Sequence, residues 1–161
     1  MMKRIILALF LLTSAFSVTE AQLPPLNPEE MPPMRMVFTQ QITNSKGKVL
    51  SKATGTLDVQ YPYFYIVMGN FRFFGNDTVL YCQDVRSDEI TISKSMLQQM
   101  VSEADLNQVS KTATLGYTAK DGTRHDFTLN EAEIMNEKWP ESHFLLSDDK
   151  IGENTIVTDM R

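Results

Sequence analysis

The feature that most limits the fold is a succession of short alternating segments, each closed by turn-forming residues. From Met34 the pattern repeats every second residue, with Met36, Phe38, Gln40 and Ile42 on one side and Val37, Thr39, Gln41 and Thr43 on the other. That is the period of a β-strand and not of a helix. Asn44-Ser45-Lys46-Gly47-Lys48 supplies a turn, and Val49 to Val59 reads as the returning strand, with Gly55 as a bulge or a point of close approach.

Tyr63 to Met68 carries large side chains on both faces, so both faces of that strand require cover. Gly69-Asn70 and Gly75-Asn76-Asp77 mark turns on either side of Phe71-Arg72-Phe73-Phe74, and Thr78 to Val85 and Ile90 to Ile92 extend the meander. Thr112 to Ala119 and Thr123 to Asn130 flank Lys120-Asp121-Gly122, and Asp-Gly is a strong hairpin signal. One helix is expected, capped by Ser93 or Ser95, with Leu97, Met100, Val101 and Ala104 at helical spacing. Such a stripe serves either to close an ordinary core or to act as a movable lid. Glu131 to Ser142 is polar and mixed, with a short amphipathic turn expected at Ile134, Met135 and Trp139. Phe144-Leu145-Leu146 and Thr155 to Thr158 read as two closing β segments.

The first residues read as a secretion signal: Lys3-Arg4, an apolar run from Ile5 to Leu12, and small residues before a cut after Ala21. The apolar run is far shorter than the roughly 20 residues that a membrane span needs. No lipid-anchoring Cys follows the cut, since Gln22 stands there. A released product with no transmembrane segment after signal cleavage is expected. Five prolines between Pro24 and Pro33 exclude a regular helix and leave an extended arm over 22–33, which serves as a spacer or as a docking ligand. The remainder, 34–161, has the length of one domain.

The whole chain holds 15 basic and 20 acidic residues, and the signal removes two of the former and one of the latter. An acidic protein is a poor partner for nucleic acid. Cys82 is the only cysteine, so no intramolecular disulfide forms, and its strand context predicts a buried, inert thiol. His125 and His143 sit in no catalytic or metal-ligand spacing, and His125, between Arg124 and Asp126, is expected to face solvent. No glycine series cradles a phosphate. The residues predict no catalytic site, no metal and no cofactor. What stands out instead is the apolar content of the strands: Met34, Met36, Phe38, Phe64, Ile66, Met68, Phe71, Phe73 and Phe74. Methionine suits surfaces that repack around variable apolar ligands, although such residues also fill ordinary cores.

In order and spacing, Phe38-Thr39-Gln40, Gly47, Gly55, Leu57, Pro62 and Phe64 resemble the periplasmic carriers of outer-membrane lipoproteins (LolA type). Gly75-Asn76-Asp77-Thr78-Val79-Leu80-Tyr81, Ile90-Thr91-Ile92, the Asp121-Gly122 hairpin and the ending Ile156-Val157-Thr158-Asp159-Met160-Arg161 are similar as well. The resemblance implies a mainly β fold with few helices: an incomplete antiparallel β-barrel, in effect a curved sheet, with a helical lid. It implies a periplasmic carrier that takes up acyl chains of lipoproteins, or another amphiphile, from an inner-membrane exporter and passes them to an outer-membrane acceptor. The lining it implies is Met36, Phe38, Leu57, Phe64, Ile66 and Met68 from strands, with Leu97, Met100 and Val101 from the helix. The chain departs from the family where prolines replace an N-terminal helix and where Gln60-Tyr61 replaces a basic residue before Pro62. The alternative is a non-catalytic envelope module that docks through its sheet edge and Pro-rich arm.

Overall fold

The computed structural model describes Glu29 and residues 31–95 and 114–161. The expected secretion signal, most of the expected proline arm and the helix expected from Leu97 onward lie outside the described residues.

Among the described residues nine strands form one sheet: β1 (Met34–Thr43), β2 (Val49–Gln60), β3 (Tyr63–Met68), β4 (Phe71–Gly75), β5 (Val79–Asp84), β6 (Glu89–Lys94), β7 (Thr114–Thr118), β8 (Arg124–Ile134) and β9 (Ile156–Asp159). Their order across the sheet is β7-β8-β1-β2-β3-β4-β5-β6-β9. The sheet is curved and does not close into a barrel, because β7 and β9 stand at opposite edges. Strands β1 to β6 pair as a meander of antiparallel neighbours, and β9 adds to β6 in parallel. Parallel pairing follows from the connection, since a chain segment, and not a tight turn, returns β9 to the same end of β6.

The turns form for local reasons. In the β1–β2 turn, Asn44 Oδ1 accepts from the backbone N–H groups of Lys46 and Lys48, and Gly47 takes a φ of 78° that glycine adopts without steric cost. Asn76 Oδ1 accepts from the Thr78 and Val79 N–H groups and from the Thr78 hydroxyl, which steers the chain from β4 into β5. Between β7 and β8, Gly122 has a φ of 82° and donates its N–H to Ala119 O, as expected of Asp121-Gly122.

Several expectations need correction. β8 runs on to Ile134 instead of ending near Asn130, because a register shift at Val37/Phe38 lets it follow β1 along its whole length. Ile134 is therefore an exposed strand residue and not part of an amphipathic turn. β6 includes Ser93, which removes that residue as a helix cap. Phe144-Leu145-Leu146 is not a strand: it follows a single 3-10 turn at Glu141–His143, and the chain bends there to bury Phe144 against Tyr63. Of the two alternatives expected at Gly55, a bulge or a point of close approach, the second holds. A Cβ there would strike the ring of Phe38 and come within 2.7 Å of Val67 O.

Candidate functional site

Lateral pairing sorts the strands into rows, and paired residues share a face. One row runs Met36, Leu57, Ile66, Phe73 and Cys82; the rows beside it on the same face hold Val59 with Phe64, and Phe38 with Gly55 and Met68. The six strand residues expected to line a binding surface thus fall on one side of the sheet. Met36, Phe38, Leu57, Phe64 and Ile66 are buried and Met68 is half-buried. Leu97, Met100 and Val101 lie outside the described residues. Alternation within one strand leaves open which side is which; the cross-strand register joins the strands into a common apolar face.

β8 widens this face. Leu129 pairs with Phe38 and Phe127 pairs with Gln40, and the rings of Phe38 and Phe127 lie 6.3 Å apart. Phe127 and Leu129 are absent from the lining expected from sequence, although Thr123 to Asn130 alternates and could have identified them. His125 corrects the expectation of a solvent-facing residue, being only 2% exposed on this same face. Its charged neighbours Arg124 and Asp126 point the other way, where they pair at 2.9 Å.

The opposite face has a different character. Its central row runs Arg35, Asp58, Tyr65, Phe74, Tyr81 and Ile92. The C-terminal segment from Trp139 to Lys150 lies over this row. The ring of His143 sits 4.8 Å from Tyr65 and 5.5 Å from Trp139, and Phe144 stacks on Tyr63 at 5.6 Å. Leu145 and Leu146 pack on Val79, Ile90 and Ile92. Gln60 binds Trp139 twice, donating to its carbonyl at 3.1 Å and accepting its N–H at 2.8 Å.

Charge is concentrated under this segment. Asp58, 4% exposed, accepts two hydrogen bonds from Arg35 at 2.7 and 2.8 Å, and His143 Nε2 lies 2.8 Å from Oδ2, one of the two oxygens that Arg35 also binds. The bonds to Asp58 raise the Arg35 pKa. Lys150 donates to the carbonyls of Ser142, His143 and Leu145, with its ammonium 4.7 Å from the Phe74 ring centre. Burial depresses its pKa below the usual 10.5.

These two faces keep His125 and His143 apart, so the histidines share no site. Among the described residues no three His, Cys, Asp or Glu side chains converge as a metal site would require. Cys82 sits on the apolar face, half-buried, and burial together with Asp84 raises its thiol pKa from 9.0 to about 11. A shallow polar hollow of about 200 Å³ lies on the other face, between Thr39, Gln41, Lys52, Asp126, Thr128 and Asn130.

No protein-family model matches the chain. No curated protein matches it either. Among solved structures, an uncharacterized conserved protein from Thermus thermophilus aligns over 94% of this chain and 96% of that one, at a TM-score of 0.48 and 7% identity. A likeness of that order assigns neither family nor function. No helix among the described residues is long and apolar enough to cross a membrane.

Proposed function

We propose that this chain is a secreted, periplasmic carrier without catalytic activity, which holds acyl chains of lipoproteins or of another amphiphile against the apolar face of its sheet. The observation that carries the reading is the segregation of the two faces. Met36, Phe38, Leu57, Phe64, Ile66 and Met68 adjoin one another on one face, whereas the ion pairs Arg35–Asp58, His143–Asp58 and Arg124–Asp126 are on the other. The C-terminal segment packs its aromatic residues on the side that carries the ion pairs, and the apolar residues of the other side are buried without its help.

The chemistry suits a carrier. Each methylene removed from water contributes about 0.8 kcal/mol, so a long acyl chain does not cross an aqueous compartment unaided. A lining of Met and Phe adapts to such chains without covalent chemistry, and release requires only that the surface be exchanged for another. The partners would be an inner-membrane exporter and an outer-membrane acceptor. Mass spectrometry of organic extracts from protein purified out of its native envelope should find acyl ligand, and the purified protein should take up a fluorescent monoacylglycerol. Ligand-free protein that takes up no such probe would sink the reading.

A second reading is favoured by β9. It forms a sheet edge whose Ile156 and Val157 are 58% and 42% exposed, with Met160 beyond it 66% exposed. Exposed edges recruit partner strands, so an envelope module docking through this edge is the alternative. Replacing Ile156 and Val157 with Lys would abolish the binding of such a module to its partner and leave lipid uptake by a carrier intact.

A further inference from the structure

Among the described residues, two buried polar side chains lie on the apolar face. Gln40 lies one step beyond Phe38 along β1 and pairs with Phe127 across to β8, and His125 lies one step beyond Phe127. Both are more than nine-tenths buried. An apolar residue at either place would continue the wall formed by Phe38, Phe127 and Leu129 at no desolvation cost, so the carboxamide and imidazole need a reason.

Their hydrogen bonds run in one direction. Thr123 donates its hydroxyl proton to Asp121 Oδ1 at 2.6 Å. A hydroxyl has a single proton, so Thr123 Oγ1 accepts at its 3.2 Å contact with His125 Nε2. That assigns the imidazole proton to Nε2 and leaves Nδ1 as the acceptor for Gln40 Nε2 at 3.4 Å. The polar track thus begins at the exposed Asp121-Gly122 turn and ends inside the apolar face at a carboxamide. The Gln40 amide has two N–H groups, of which the track uses one.

Building on the carrier reading, we infer that Gln40, positioned by His125, is the specificity-determining residue of the apolar face, and that it donates to the carbonyl of an ester or amide linkage joining an acyl chain to its headgroup. The ligand class is then a neutral acyl ester or amide and not a free fatty acid. Among the described residues, the basic side chains of the neighbouring strand positions, Arg35, Lys52 and Arg124, belong to the opposite face, so a carboxylate at this place would gain no cation from them. Apolar sites commonly fix orientation through a few such polar groups. A site built to hydrogen-bond a ligand group discriminates strongly against an analogue that lacks it.

The test is a matched pair: monopalmitoylglycerol, which has an ester carbonyl, and 1-O-hexadecylglycerol, which has an ether oxygen and no carbonyl. Each competes against a fluorescent monoacylglycerol for the full mature chain. The native protein should prefer the ester by about tenfold. Gln40→Met should weaken ester binding to the level of the ether and leave ether binding unchanged, with His125→Phe giving the same readout should Gln40→Met fail to fold. Equal binding of ester and ether by the native chain, or an equal loss of both in the variants, overturns this inference and leaves the carrier reading standing. Binding of neither lipid overturns both.

Discussion

His143 Nε2 lies 2.8 Å from Asp58 Oδ2, so a 3-10 turn near the C-terminus is tied to the middle of β2 across 85 positions of sequence. Arg35 completes the site from β1 with two further bonds to the same carboxylate. Three remote parts of the chain therefore meet at one buried acid. Asp58→Ala would leave Arg35 and His143 without their shared partner and should destabilise the fold by about 2–3 kcal/mol, read as a lower urea midpoint at unchanged slope. Arg35→Ala should cost less, because its guanidinium is 45% exposed and water replaces part of the interaction.

Lys150 holds the same segment down by a different means, through three carbonyls and the face of Phe74. Its folded pKa lies below the unfolded value of 10.5 because burial disfavours the charge. A depressed pKa contributes stability that is present above the unfolded value and is lost as pH falls through the folded value. Comparing unfolding midpoints of the native chain and Lys150→Met should therefore show a component that rises with pH up to 10.5 in the native chain alone.

Cys82 works in the opposite sense. Its thiol pKa is raised from 9.0 to about 11, so its contribution to stability is complete below pH 9 and is lost as pH rises through 11. Thiolate is the reactive form, so at pH 9 alkylation of the native thiol should be roughly fifty-fold slower than that of the unfolded chain. Iodoacetamide rates with and without denaturant measure this directly. Equal rates would mean that Cys82 is not shielded.

The contact of Phe38 with Gly55 couples two strands of the apolar face. Gly55→Ala should destabilise by about 1–3 kcal/mol, since the new methyl group meets the Phe38 ring and Val67 O together. Phe38→Leu should relieve part of this strain, so a double-mutant cycle should show a favourable coupling. Additive effects would contradict the packing described.

Met68 is half-buried on the apolar face, and Val67, its neighbour in β3, belongs to the other face. Met68→Glu should reduce monoacylglycerol uptake at least about tenfold while the chain stays folded, since a carboxylate buried against an acyl chain is strongly disfavoured. Val67→Glu should leave uptake unchanged. Circular dichroism and fluorescence titration of both variants check the pair.

Much of the sheet was legible in the residues because its determinants are local. Alternation in Met34 to Thr43 and the turn chemistry of Asn44, Gly47, Asn76 and Gly122 act within a few residues, and each produced the expected hairpin or bend. The end of the chain was not legible in this way. Phe144-Leu145-Leu146 has the composition of a strand, but Lys150, His143 and Trp139 draw it onto the Tyr63, Tyr65 and Phe74 surface, and only packing at long range specifies that. His125 shows the same limit, because its exposed neighbours gave it the context of a surface residue while the pairing of β8 with β1 turned it inward.

By itself the sequence determined most of the strands, their turns and the apolar character of Met36, Phe38, Leu57, Phe64, Ile66 and Met68, since period and turn chemistry are properties of neighbouring residues. The tertiary structure alone decided that these six residues share one face, that Asp58 and the C-terminal segment seal the other, and that Gln40 and His125 lie within the apolar one. The physical reason is register. Which side of a strand is covered depends on what pairs beside it and what packs across it, and both are set by residues far away in the chain.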